Sequence, residues 1–127
     1  MKGALHLDTH VVAWLYAGLV HQLSESAQSR LETASLIVSP AVGLELTRWF
    51  ERGLIFSPAS EILADLERRL GLEVSRDRFD QVARLAESYA WSEDIFDRLI
   101  CAQAALAECS LLTKDAHLHR HFPRAVW

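Results

Sequence analysis

Leu5-His6-Leu7-Asp8-Thr9-His10, near the amino end, and Leu111-Leu112-Thr113-Lys114-Asp115, near the carboxyl end, are built alike. Each is a short apolar run that stops on an aspartate and is followed by residues able to open a helix. Runs bounded in this way read as strands buried on both faces, the kind found in a parallel sheet. Two carboxylates placed alike at opposite ends of a chain meet only if the fold brings them together. An anionic cluster at the carboxyl ends of parallel strands is a common way for an α/β protein to build a divalent-metal site.

Working outward from these two runs, strands and helices alternate. Ala4 to Asp8 reads as a strand and Thr9 to Ala17 as a helix closed by Gly18. Ser24 or Ser26 can cap a second helix that runs to about Thr33. Leu36-Ile37-Val38 is a strand, and Ser39-Pro40 then pairs a good N-cap with proline at the first helical position. The following helix carries Val42, Leu46, Trp49 and Phe50 at a 3.6-residue period and stops at Gly53. Ser57-Pro58 repeats the start signal for a helix over Ala59 to Leu70, with Gly71 as its stop. Leu72 to Ser75 predicts a third strand, Asp77 to about Ala90 a helix, and Ser92 the opening of another helix with Phe96, Leu99, Ile100, Ala104 and Ala107 on its apolar side. Ser110 to Thr113 is a strand, a helical turn follows Asp115, and Ala125-Val126-Trp127 forms a last edge strand. The alternation predicts an α/β fold, a three-layer α/β/α sandwich around a mostly parallel sheet, with residues 1–127 forming a single domain.

Composition narrows the class. Half of the 127 residues are apolar, which supports a compact globule rather than disorder. A net charge of −4 argues against gripping nucleic acid through overall charge, while leaving room for local basic surfaces. The basic residues are nearly all arginine, with lysine only at Lys2 and Lys114. Cys101 and Cys109 fall on one predicted helix, roughly 12 Å apart at 1.5 Å per residue, too far for a disulfide. They read as small apolar residues in a reducing cytosol. Asp8 and His10 interrupt any apolar stretch at the amino end, so no signal peptide is expected, and no segment approaches a membrane span. The expected location is the cytoplasm.

The remaining acids decide what Asp8 and Asp115 are for, since an acid after a buried strand can simply cap the next helix. Glu45 lies one turn from Val42 and Trp49, at the edge of its helix's inward face, where an unpaired charge is costly. It can alternatively point outward or pair with Arg48 or Arg52. Glu93, Asp94 and Asp97 form a third acidic group. The helix dipole accounts for acids in a first turn but covers Asp97 poorly, and Asp94 and Asp97, three apart, can face the same point.

Taken together, Leu7-Asp8-Thr9-His10, Ser39-Pro40-Ala41-Val42-Gly43-Leu44-Glu45-Leu46, Asp94-Ile95-Phe96-Asp97-Arg98-Leu99-Ile100-Cys101-Ala102-Gln103-Ala104 and Leu112-Thr113-Lys114-Asp115 resemble the motifs of the PIN-domain ribonucleases, above all the VapC-type toxins of bacterial toxin–antitoxin pairs. The resemblance covers essentially the whole chain, and its third motif is the most specific. It implies that Asp8, Glu45, Asp97 and Asp115 form the catalytic acidic set, with Asp94 as an extra acid. Asp8, Asp97, Asp115 and Asp94 would be the metal ligands. Ile95 stands where many relatives have proline, which bears on the start of that helix and on the relative roles of Asp94 and Asp97. Thr9 and Thr113 match hydroxyl positions around the carboxylates, and Arg48, Arg98 and Lys114 are candidate substrate-phosphate contacts.

The chemistry suits these residue types. Crowded carboxylates repel unless a divalent cation neutralises them, and Mg2+ or Mn2+ prefers such oxygen ligands. The resemblance therefore implies one or two Mg2+ or Mn2+ ions and endonucleolytic cleavage of cellular RNA, with tRNA a candidate. It also implies a cognate VapB-like antitoxin and a homodimer, with no membrane partner. The Ile62, Leu63, Leu66 and Leu70 stripe serves either core or dimer surface. His117, His119 and His121 alternate as strand-borne metal ligands would, but a solvated turn contributing with Arg120 and Arg124 to RNA phosphate contacts is the preferred reading. Trp14, Trp49 and Trp91 read as core rather than base-stacking platforms. Two rivals remain: a catalytically inactive PIN-fold RNA-binding or interaction module, and another acidic-pocket α/β phosphohydrolase or phosphotransfer receiver. Receivers and such phosphatases expect paired acids after the first strand, whereas Asp8 is followed by Thr9 and His10.

Overall fold

Strand β1 (Ala4–Leu7) occupies the centre of the sheet, buried on both faces and paired along both edges. The computed structural model describes residues 3–127. From β1 the chain continues through α1 (Thr9–Ala17), a 3-10 turn at Val20–Gln22, α2 (Glu25–Thr33) and β2 (Ser35–Val38). Next come α3 (Pro40–Glu51), α4 (Ala59–Leu70), β3 (Glu73–Val74), α5 (Phe79–Glu87) and α6 (Ile95–Leu106). The chain closes with β4 (Ser110–Leu112), α7 (Ala116–His121) and β5 (Ala125–Val126). The strand order is β3-β2-β1-β4-β5 and every pairing is parallel, giving the α/β/α sandwich expected from the alternation.

That order contains a reversal. The chain steps from β1 to β2 to β3 on one side, then crosses back to place β4 on the other side of β1. Ligand crevices of open parallel sheets open at such a switch, beyond the carboxyl ends of the strands. Register Leu7↔Leu112 puts the residues after β1 and β4 side by side, and the Asp8 N–H extends the ladder by donating to the Leu112 carbonyl (3.0 Å).

The core is continuous around the sheet. Leu7, Val11, Val12, Leu46, Ile100, Leu111 and Leu112 are fully buried in it, and α1, α3 and α4 pack together while α5 packs on α6. Ile62 and Leu66 of α4 belong to this core, whereas Leu70 is exposed, so the stripe on that helix serves the interior first. Gly18 and Gly71 end α1 and α4 in the left-handed region (φ 75° and 70°), where a side chain would be strained. No helix of the described residues is long and apolar enough to cross a membrane.

Several helix starts differ from expectation, for tertiary reasons. Ser57 does not cap α4; Pro58 takes that position without a side-chain bond, and the Ser57 hydroxyl instead meets Tyr16 Oη (3.1 Å). The helix expected from Asp77 begins at Phe79, because Asp77 is engaged elsewhere: its Oδ2 accepts from Ser75 Oγ and Gln103 Nε2. Ser92 does not cap α6; its Oγ accepts from the Asp94 N–H, and Asp94 caps the helix. Cys109 lies beyond the end of α6 rather than on it, and both cysteines are free.

His6 faces neither water nor a partner. It is 1% exposed and neither ring nitrogen makes a hydrogen bond. Burial drives its pKa down from 6.5 to about 4, against the opposing pull of Asp77. An unfolded chain takes up the proton first, so the contribution of a neutral His6 is complete above pH 6.5 and is lost as pH falls toward 4. The full interval corresponds to roughly 3 kcal/mol. His6→Leu, which removes two unmet polar atoms, is expected to raise Tm in urea or thermal melts, and its advantage over the parent should widen between pH 6.5 and 4. An advantage independent of pH would contradict the account.

Candidate functional site

Asp8 is where the acidic site begins. It is 7% exposed, and both oxygens are engaged: Oδ1 accepts from the Thr9 N–H (2.8 Å) and Oδ2 from the Thr113 hydroxyl (2.6 Å), a residue 105 positions away. The same Thr113 Oγ1 accepts from the Asp115 N–H (3.1 Å), so one hydroxyl orients the two carboxylates that follow β1 and β4. Burial raises the Asp8 pKa and the nearby Asp115 adds to that, while the bonds from Thr113 and Thr9 and the neighbouring His10 oppose it.

The other acids arrive on helices. Asp115 and Asp94 are N-caps: Asp115 Oδ1 accepts from the His117 and Leu118 N–H groups, and Asp94 Oδ1 from those of Phe96 and Asp97. Both are exposed and each retains a second oxygen outside its cap bonds. Asp97 is half-buried, one turn into α6. Its pKa is pushed up to about 8, first by burial and then by the charges of Asp94, Asp8, Asp115 and Glu45. Glu45, half-buried on α3, is also raised, by burial first, then by Asp8 and Asp94, with Thr9 and Arg48 opposing. Asp97 is thus the member on which the charges of the other four carboxylates converge.

This donor set suits a hard divalent cation. It consists of oxygens alone, its charges repel for want of a counterion, and the Thr9 hydroxyl is buried beside it without a well-formed hydrogen bond. Among the described residues no three His, Cys, Asp or Glu side chains stand in ready-made coordination geometry, so the carboxylates are electrostatic neighbours rather than a closed shell.

The candidate phosphate contacts divide. Lys114 lies over the Trp14 ring (5.9 Å) and Arg48 over the Phe96 ring (5.9 Å), both exposed at the margin of the acids. Arg98 turns away, its Nε donating to the Ser92 carbonyl (2.6 Å), which braces the loop before α6. The histidine run is helical, not strand-like, which removes the alternating ligand pair. His117 Nε2 bonds the Trp91 carbonyl (2.7 Å) and His119 Nε2 the Thr113 carbonyl (2.6 Å), tying the α7 side of the site to the α6 side and to β4.

Sequence reading passed over His10. It is exposed, one turn before Trp14, and its ring meets Trp49 at 4.7 Å and Trp14 at 5.7 Å. Trp14, Trp49 and Trp91 pack against the core as expected, each only half-buried. The one-turn spacing from His10 to Trp14 was the available signal.

The family model described as PIN domain matches residues 5–122. No curated protein matches the sequence. Among solved structures, the fold is similar to VapBC2 from Rickettsia felis bound to a promoter DNA fragment (TM-score 0.66, 16% identity, covering 97% of this chain and 96% of that one). It is also similar to a toxin–antitoxin complex from Klebsiella pneumoniae (TM-score 0.67, 16% identity, 97% and 96%). FitAcB from Neisseria gonorrhoeae is more distant in shape (TM-score 0.51, 16% identity, 97% and 96%).

The raised Asp97 pKa makes a prediction for the protein in chelator. The folded state holds a proton that the unfolded chain has released, so this group costs stability increasingly as pH rises from 3.8 toward 8. Asp97→Asn is expected to melt above the parent at pH 8, with the gap closing toward pH 4. An equal or lower Tm at pH 8 would remove the electrostatic crowding on which the site rests.

Proposed function

The chain belongs to the PIN-domain family, a family of nucleases, and on that premise we propose that it is a metal-dependent endoribonuclease of the VapC toxin type. The observation that carries this reading is the convergence of Asp8, Glu45, Asp94, Asp97 and Asp115 on one another at the switch point of the sheet. Asp8, Asp97, Asp115 and Asp94 would hold one or two Mg2+ or Mn2+ ions, which when bound would supply positive charge to neutralise these acids and polarise a phosphodiester.

The chain's own residues divide the remaining work. Thr113 and the Thr9 N–H fix the Asp8 carboxylate so that it does not reorganise when substrate arrives. Asp97, whose pKa is raised to about 8, would have to be deprotonated to serve as a ligand, which would couple loading of the site to pH. Glu45 stands on the α3 side, where a raised pKa suits it to accept a proton from an attacking water. Lys114 and Arg48 receive the substrate phosphates at the margin, and Arg98 keeps the α6 approach in place.

Cellular RNA, with tRNA a candidate, is the proposed substrate, and the cytoplasm the proposed place of action. A VapB-like antitoxin is the proposed inhibitor, supported by the toxin–antitoxin complexes among the similar folds. A homodimer is supported by exposed Leu54 and Phe56, the latter 94% exposed in the turn before α4. The catalytically inactive alternative is disfavoured by the retention of every acid, and the phosphohydrolase alternative by the absence of a second acid next to Asp8.

Purified protein incubated with total RNA should cut it only with Mg2+ or Mn2+ present. Asp8→Asn and Asp97→Asn should reduce the rate by at least about 100-fold, and Thr113→Val by about 10- to 100-fold through misorientation of Asp8. Cleavage in chelator, or equal rates in parent and Asp8→Asn, would overturn the mechanism.

A further inference from the structure

A second concavity lies away from the acids and shares no lining residue with them. It is a groove of about 990 Å3 between α4 and the β3 edge of the sheet, with His6 among its lining residues. We propose that this groove binds a free aliphatic amine cation, a diamine or polyamine, with its ammonium near His6 and Asp77 and its methylene chain along the α4 wall.

Three independent features support that chemistry. His6 is a polar side chain buried at the floor of the groove, and neither of its ring nitrogens has a hydrogen-bond partner. Charge selects the ligand's sign: Glu67, Glu73 and Asp77 line the groove against the single guanidinium of Arg76. That excess of carboxylates repels phosphates and other anions and attracts ammonium groups. The walls select its body, because Ile37, Leu63, Leu72 and Val74 offer apolar surface that suits methylenes rather than a hydrated metal ion.

The acceptor is also fixed in advance. Asp77 Oδ2 is held by Ser75 Oγ (3.1 Å) and by Nε2 of the buried Gln103 (3.2 Å), while Gln103 Oε1 accepts from Ser39 Oγ (3.0 Å), the N-cap of α3. A carboxylate held in this way loses little side-chain freedom on binding. The same chain of bonds leads from the groove wall to α6 and α3, the helices that carry Asp97 and Glu45, so the groove is connected to the acidic site without opening into it.

The test is a titration of the purified protein with cadaverine and spermidine, with Mg2+ present and without RNA. Histidine ring resonances are followed by NMR and affinity by calorimetry. The expected result is a saturable shift of the His6 resonance, assigned from its loss in His6→Leu, that sodium chloride at matched ionic strength does not reproduce. Affinity should fall at least about tenfold in Glu67→Gln/Asp77→Asn and survive in Asp97→Asn. No saturable shift, or binding that is lost in Asp97→Asn and kept in the groove variant, would overturn the proposal by placing amines in the acidic site instead. Because no step needs RNA cleavage, failure of the nuclease reading and failure of this one are separately visible.

Discussion

The hydrogen bond from Thr113 to Asp8 is the constraint on which the site depends. A carboxylate buried after the central strand must have its oxygens satisfied, and the residue that satisfies Oδ2 comes from the far end of the chain. Parallel pairing of β1 with β4, in the register Leu7↔Leu112, is what brings Thr113 within reach. Thr113 then passes its oxygen to the Asp115 N–H, so the placement of the last acid follows from the placement of the first. The site thus inherits its geometry from the sheet rather than from a flexible loop.

Much of the fold was legible because its signals are local. Apolar runs of three to five residues, Ser39-Pro40, Gly18 and Gly71 each act within a few residues of themselves, and each fell where its chemistry directed. What failed was the competition for polar side chains. Ser57, Asp77 and Ser92 are all good helix-start residues, yet the folded chain offered each another position or partner: Tyr16, Gln103 and the Asp94 N–H respectively. Those partners lie as near as two residues and as far as forty-one, and a propensity argument cannot weigh them. The histidine run forms the helical turn expected after Asp115, with the Trp91 and Thr113 carbonyls as partners for two of its rings.

The acids were all named from the sequence, and the alternatives posed there, cap or site, do not exclude each other. Asp115 and Asp94 cap their helices with one oxygen and still take part in the shared field with Asp97. Capping is what aims them, because an N-cap fixes its carboxylate over the first turn. The Asp97 carboxylate makes no cap bond and is more buried than that of Asp94, so its charge is less screened. That difference favours Asp97 over Asp94 as the inner ligand. With Ile95 where relatives have proline, α6 still begins at residue 95, and the cap by Asp94 is what sets its start.

A cluster of like charges opposes folding, as the raised pKa values of Asp8, Glu45 and Asp97 record, and the rest of the molecule has to hold it together. The holding elements are identifiable. Leu7 and Leu112, each fully buried, directly precede Asp8 and Thr113, and the fully buried Ile100 lies about one turn after Asp97 on α6. Gln103, buried one and a half turns after Asp97, ties α6 to the cap of α3 and to the loop after β3. If the acids served only to cap helices, neutral asparagine or serine would cap as well without the repulsion. That all five are carboxylates fits a cationic ligand that repays the repulsion on binding.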